Sequence, residues 1–267
     1  MTAVLTETGA EPSPVPRRAI SVRGLRKSFR DFGTRKEVLR GVDLDIAPGE
    51  VIGLIGANGA GKTTLMSCLL GFFFPDAGEL LIDGCAVDDM SVRARTGFVP
   101  ERMAFGRNLH GRDFVMYMAR LSGLSSDEAA ARTDELLERL DLTEAAERSL
   151  GNYSRGMLQR IGLCQALVNE PDFLFLDEPT SGLDPIGAGE FDELIATLQR
   201  TLGLTVFMVT HDLDTLHTVC DRIAVLADHK VIATGDMDTM LASKHPWLRA
   251  YFHGKRSRAG QTARAPN

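Results

Sequence analysis

The chain of 267 residues is short of cysteine, of aromatic residues and of positive charge. Its four cysteines (Cys68, Cys85, Cys164 and Cys220) are scattered, with no C-x-x-C spacing and no clustered histidines. That argues against a disulfide framework and a zinc site, and suits a reducing cytosol. A formal net charge of −6 lacks the basic field that marks a nucleic-acid-binding protein. Long apolar runs are missing too. The longest, residues 65–74 (LMSCLLGFFF), is about half of what a bilayer span requires. The opening segment MTAVLTETGAEPSPVPR has acidic residues and prolines where a secretory signal needs a basic start and an apolar core. Residues 1–18 therefore read as a disordered tail. What these absences leave is a soluble chain, long enough for one large α/β domain with a small subdomain. Any action at a membrane needs a partner.

What is present is organised around residues 51–64, VIGLIGANGAGKTT. Residues 51–55 are an apolar, β-branched run, as in a strand buried within a sheet. Gly56, Ala57, Asn58, Gly59, Ala60, Gly61, Lys62 and Thr63 follow at once and fit the phosphate-loop pattern G-x-x-x-x-G-K-[ST], with Thr64 next. Glycines let backbone N–H groups turn inward around phosphate oxygens. Lys62 can place its charge between the β- and γ-phosphates, and the Thr63 hydroxyl can ligate Mg²⁺. The helix that starts here points its positive end at the same anion.

Upstream, residues 19–25 read as a first strand followed by Lys27, Ser28 and Phe29, and residues 38–46 alternate as a half-buried strand. Phe29 has two readings, a core phenylalanine or a ring that stacks on adenine. Downstream, Pro75–Gly78 turns the chain into a strand over residues 80–84, and Gly97–Glu101 is a further strand-to-loop step. Residues 113–121 and 126–140 have helical composition with Ser126-Asp127 as a start signal, so an inserted helical subdomain spans about 105–165. Met116, Tyr117 and Met118 read as its packing face. Ser154 stands where an N-cap belongs, ahead of a helix to about Asn169. Residues 173–176 (FLFL) are a buried strand with Asp177-Glu178 at its carboxyl end, where open parallel sheets bind ligands. Two adjacent carboxylates there are costly unless they act. With a phosphate loop, Asp177 is a Mg²⁺ anchor and Glu178 a base or water-positioning group. Residues 179–185 read as a loop and 190–200 as a helix. Residues 205–210 form another strand that ends at His211, and Asp228-His229 joins two short strands as a hairpin. The basic end, residues 254–267, reads as a disordered tail that contacts a partner or anionic headgroups weakly.

Over residues 19–253 these motifs, in this order, resemble the ATP-binding subunits of ABC transporters: GANGAGKTT, the loop at Glu101, YSRGM, FLFLDEPTSGLD and the strand-end His211. The resemblance implies an α/β P-loop NTPase with a mainly parallel core sheet, an antiparallel β subdomain and the inserted helical subdomain. It implies that Phe29 stacks on adenine, that Glu101 takes the place of the loop glutamine near Mg²⁺, and that Asp184 lies in the loop between subunits. His211 then contacts the γ-phosphate, Glu178 is the catalytic glutamate, and Lys62 completes the catalytic set. YSRGM aligns with the LSGGQ signature, so Ser154 and Gly156 would meet the γ-phosphate held by a second copy. Arg155 and Met157 depart from the signature's glycine and glutamine. The implied cofactors are ATP and Mg²⁺. The implied partners are a second ATPase subunit and transmembrane permease subunits, with no nucleic acid and no zinc. The implied location is cytoplasmic, peripheral on the inner face of the cell membrane. Phe105, Arg107 and the 116–118 face are expected to meet a membrane partner's cytoplasmic helix.

The two ends of the chain resemble different branches. Up to about Asp184, phrases such as FVPERMAF and NYSRGMLQR look like drug or polysaccharide exporters. From Pro185 onward, PIGAGEFDELI and CDRIAVLADHKVIATG look like the ATPases of lipid-asymmetry and mammalian-cell-entry lipid transport. A soluble ABC-type ATPase acting on nucleic acid or ribosomes is the competing class. The acidic balance and the lack of a long heptad run count against it. A GTPase switch would need an N-K-x-D motif, which the sequence lacks.

Overall fold

In the computed structural model, which describes residues 19–31, 33–103 and 105–253, strands come from both ends of the chain to enclose the phosphate loop. The two tails read from the sequence lie outside the described residues. β1 (Ile20–Asp31) and β2 (Thr34–Ile46) form a long antiparallel pair. β3 (Val51–Gly56) leads into α1 (Lys62–Leu69), and β4 (Ala77–Ile82) and β5 (Cys85–Ala86) follow. After α2 (Met90–Ala94) comes β6 (Thr96–Val99), then the helices α3 (Gly111–Leu121), α4 (Ser126–Arg139) and α5 (Arg155–Leu167). The last third alternates β7 (Phe173–Asp177), α6 (Pro185–Leu202), β8 (Thr205–Val209) and α7 (Leu213–Thr218). It closes with β9 (Arg222–Ala227), β10 (Lys230–Gly235), α8 (Met237–Ala242) and α9 (Pro246–Phe252).

Among the described residues the strands make two sheets. One is four-stranded and antiparallel, in the order β2-β1-β4-β5, and the other six-stranded, in the order β10-β9-β3-β8-β7-β6. The larger sheet is parallel except for the β9–β10 hairpin. β3, β7, β8 and β9 are buried on both faces, which is why they read as continuous apolar runs rather than alternating ones. One face shares a core with β1, β2 and α1. The other shares a core with α3, α4, α5 and α6. A third cluster around Ile55, Leu216 and Val225 seats α8 and α9 through Met240, Leu248 and Phe252.

Register decides where the chemistry gathers. Leu54, Val209 and Asp177 stand in one row across β3, β8 and β7. The residues that follow each of them therefore leave the sheet along the same edge.

Local expectations needed several adjustments. β1 runs unbroken through Lys27, Ser28 and Phe29, because β2 pairs with it along that length. β2 likewise begins at Thr34, ahead of the alternating stretch. α6 starts at Pro185 rather than at 190, with Pro at its first position and Asp184 as N-cap. α4 starts at Ser126 as the sequence reading has it, and its cap is the preceding Ser125, whose hydroxyl and Glu128 form a capping box. Tyr117 is not on the packing face: it is 56% exposed, and α3 buries Phe114, Val115 and Ala119 instead. Met116 and Met118 flank that face and are half-buried.

Candidate active site

The phosphate loop leaves the carboxyl end of β3 and enters α1 through Gly61, whose φ is +112°. A Cβ there would stand 2.9 Å from the Val38 carbonyl oxygen, so both backbone and space demand glycine. Gly61 is the N-cap, and no side chain caps the helix. The first N–H groups of α1 thus lack the side-chain partner that helix starts usually have. Ala57, Asn58, Gly59 and Thr63 are exposed around them, Gly56, Thr64 and Lys62 are half-buried, and Ala60 is buried. Lys62 Nζ donates to the carbonyls of Gly56 at 2.8 Å and Ala57 at 3.3 Å. Burial pushes its ammonium below the ordinary lysine value, against the opposing pull of Glu178 and Asp177.

Asp177 ends β7. Burial raises its carboxyl above the usual range, and the charges of Glu178 and Glu101 raise it further, while Lys62 works the other way. Glu101, which the chain reaches just after β6, is therefore within electrostatic reach of Asp177. Glu178 has a left-handed backbone, φ +49°, and its N–H donates to the Val209 carbonyl on the neighbouring strand. That turn aims its side chain at His211, the second residue beyond β8. His211 Nδ1 lies 2.6 Å from Glu178 Oε2, and the His211 backbone N–H donates to the same oxygen at 3.2 Å. The glutamate is largely covered at 17% exposure, whereas the histidine ring is 73% exposed.

The signature segment is built differently. Ser154 Oγ accepts from the Met157 N–H and caps α5. Gly156 is half-buried, with the Leu183 side chain 3.9 Å from where a Cβ would stand. Phe29 is half-buried in β1, with its ring edge-on to Phe73 at 5.2 Å and Lys27 Nζ 5.4 Å from its centroid. Phe105 packs edge-on against Phe114 at 4.9 Å, and Arg107 is exposed.

Two residues without an assigned role prove to touch this constellation. Arg155 reaches the Glu101 carbonyl and the Ser181 carbonyl. Tyr251 on α9 donates its hydroxyl to the His211 carbonyl at 3.1 Å, with its ring stacked on Trp247. The aromatic cluster WLRAYF carried a signal for the second, although its target lies 40 residues away in sequence.

A glycine-rich strand-to-helix loop with its lysine, two carboxylates at the end of the next strand but one, and a strand-end histidine define a phosphate-loop nucleoside triphosphatase. Comparison with known proteins narrows the class. Residues 39–181 match the ABC transporter family. The daunorubicin resistance ATP-binding protein DrrA3 of Streptomyces coeruleorubidus is 40% identical over 226 residues, 84% of this chain and 70% of that protein. The methionine import ATP-binding protein MetN of Caulobacter vibrioides is 36% identical over 253 residues, 92% of this chain and 75% of that protein. The fold matches a dimeric ATP-binding cassette in a post-hydrolysis state with ADP and Pi, at a TM-score of 0.73 and 26% identity, over 82% of this chain and 98% of that one. The chain belongs to the ABC transporter family as an ATP-binding subunit. It is an ATPase that drives a membrane transporter. No helix among the described residues is long and apolar enough to cross a membrane.

Proposed function

We propose that residues 19–253 work as one ATPase domain that pairs with a second copy around two ATP molecules. The pair sits on the inner face of the cell membrane beneath transmembrane permease subunits. The observation that carries this reading is the meeting of Lys62, Asp177, Glu178 and His211 at one sheet edge, beside a helix start that no side chain caps. The open N–H groups of α1 receive the phosphates, and Lys62 exchanges its carbonyl partners for phosphate oxygens. Phe29 supports the adenine. Glu178 orients and deprotonates the attacking water, and His211 steadies the γ-phosphate. Ser154 and Gly156 of the second copy close the site from the other side.

A Mg²⁺ ion fits the residues present. Asp177 is pushed up by burial and then by two neighbouring carboxylate charges, which a cation would offset, and the available donors are hard oxygens. Thr63, Asp177 and Glu101 would hold it. Among the described residues no cluster of three or more acidic, histidine or cysteine side chains could hold a metal unaided. When bound, Mg²⁺ neutralises phosphate charge.

The cargo reading is export or lipid trafficking. The likeness to a drug-resistance protein supports export, and the phrases beyond Pro185 support lipid trafficking. Phe105, Arg107 and the exposed part of α3 are the surface offered to the permease. The test is capture of the tagged Glu178→Gln protein from detergent-solubilised native membranes with Mg-ATP, followed by mass spectrometry. A multi-span membrane protein should come with it. Accompanying single-span lipid-binding proteins would select lipid trafficking, and a lone permease would select export. Recovery of soluble proteins alone would replace this reading with a soluble ATPase.

A further inference from the structure

Arg155 stands at the first position of α5, between the two signature residues Ser154 and Gly156, where its family signature has glycine. Its guanidinium is not idle. Nε donates to the Ser181 carbonyl at 3.0 Å, and Nη2 donates to the Glu101 carbonyl at 3.3 Å. Both acceptors are main-chain oxygens, so the Glu101 side chain stays free for its own work. Ser181 in turn is fastened to the catalytic segment, because its N–H donates to the Glu178 carbonyl at 3.0 Å. An unbroken path of hydrogen bonds therefore runs from Glu178 through Ser181 and Arg155 to Glu101.

The geometry is specific to this side chain. Gly182 has φ +76°, and a Cβ on it would stand 3.4 Å from Arg155 Nε and 3.6 Å from Cζ, so the loop lies close under the guanidinium plane. The planar fork holds the two carbonyls, on two different segments, from two separate nitrogens, a donor spacing that the single ammonium nitrogen of lysine does not reproduce. We propose that Arg155 is a positioning residue that locks the signature start to the Glu101 loop and to the Ser181 loop. A shift at the site where Glu101 and Glu178 act then moves the signature that serves the other site. This proposal rests on the reading that two copies share two ATP molecules.

The test uses the full chain with Arg155→Lys, Arg155→Gln and Arg155→Gly. Wild type should hydrolyse ATP with a Hill coefficient above 1. All three variants should fall toward 1, with kcat reduced about fivefold to twentyfold. ATP affinity of the single chain should stay within twofold, because Lys62 and the phosphate loop are untouched. Thermal midpoints should shift little, since Arg155 is exposed. Unchanged Hill coefficient and kcat in Arg155→Lys would overturn the proposal. So would activity loss that merely tracks a lowered midpoint at constant Hill coefficient, which is the mark of a plain structural anchor. A wild-type Hill coefficient of 1 also overturns it. Whether pairing itself stands is read separately, by sedimentation of the Glu178→Gln protein with and without ATP.

Discussion

The helices that begin at Lys62 and at Arg155 both start beside a motif glycine, Gly61 just before the first and Gly156 inside the second, yet their starts are opposites. α1 begins on a glycine with no capping side chain, and its lysine folds back on the carbonyls of its own loop. α5 begins on a serine that already satisfies the Met157 N–H, and an arginine pins it to two other loops. The first is preset for an anion: it has donors to spare and gives up little to receive a phosphate. The second is preset for its present neighbours: its serine oxygen already accepts from the Met157 N–H, and under the pairing proposed above its O–H would be the donor left for a phosphate on another chain. In that pairing, the first end would bind nucleotide as a single chain and the second would become useful only when two copies meet.

The sharpest way to break this contrast is to block the open end. Gly61→Ala forces an L-residue to φ +112° and drives a methyl to within 2.9 Å of the Val38 oxygen, a strain of about 1–3 kcal/mol before any repacking. ATP affinity measured by calorimetry should fall at least about a hundredfold. Next comes the capped end. Ser154→Ala should cost about 1 kcal/mol of stability and Ser154→Gly only a few tenths. Both should leave single-chain ATP affinity within twofold and lower kcat at least tenfold. If Ser154→Gly kept full turnover, the hydroxyl would be only a cap, and the contrast would reduce to local helix chemistry.

A third helix supplies a control that answers to pH. α6 buries Asp192, whose Oδ2 accepts from Thr215 Oγ1 while Oδ1 has no partner, and burial pushes this carboxyl up to about 6. A carboxyl whose folded value exceeds its unfolded one favours folding most at low pH, and that benefit drains away as pH rises from about 4 through 6. Asp192→Asn keeps an acceptor for Thr215 without the charge. It should flatten this decline and raise stability at pH 7.5 by about 1–2 kcal/mol, as read from denaturant midpoints. The smallest effect should come from Tyr251→Phe. Losing one hydrogen bond to the His211 carbonyl, worth about 0.5–1.5 kcal/mol, should reduce kcat two- to threefold with little change in ATP affinity.

The phosphate loop was legible in the sequence because its parts are contiguous and each answers to a local rule, from the flanking strand to the lysine. The core strands were legible because burial on both faces leaves them no polar positions. Errors arose where a neighbour decides. β1 continues past Leu25 because β2 is there to pair with it, and Tyr117 turns outward because the packing elements meet α3 on the Phe114 side. The early start of α6 could have been read from Asp184-Pro185, a cap followed by a first-turn proline. The contacts of Arg155 could not, since its two acceptors lie 26 and 54 residues away and meet it only through the fold.

The place of β3 in the larger sheet also sets a timetable for synthesis. Its neighbours on both sides, β8 and β9, are among the last strands to be made, and Gly49 lies against Thr205 across 156 residues of chain. At ~5–20 residues per second, a ribosome keeps that apolar strand waiting on the order of ten to thirty seconds. The β1–β2 hairpin needs no such delay, as its partners are adjacent in sequence. For that interval the nascent protein holds a complete phosphate-gripping sequence with no sheet to aim it, and VIGLI lies open to any edge that would pair with it. A ribosome stalled before Thr205 should therefore release a sticky, nucleotide-blind fragment, and helpers that shield unpaired strands have their work at this stage of the chain's life.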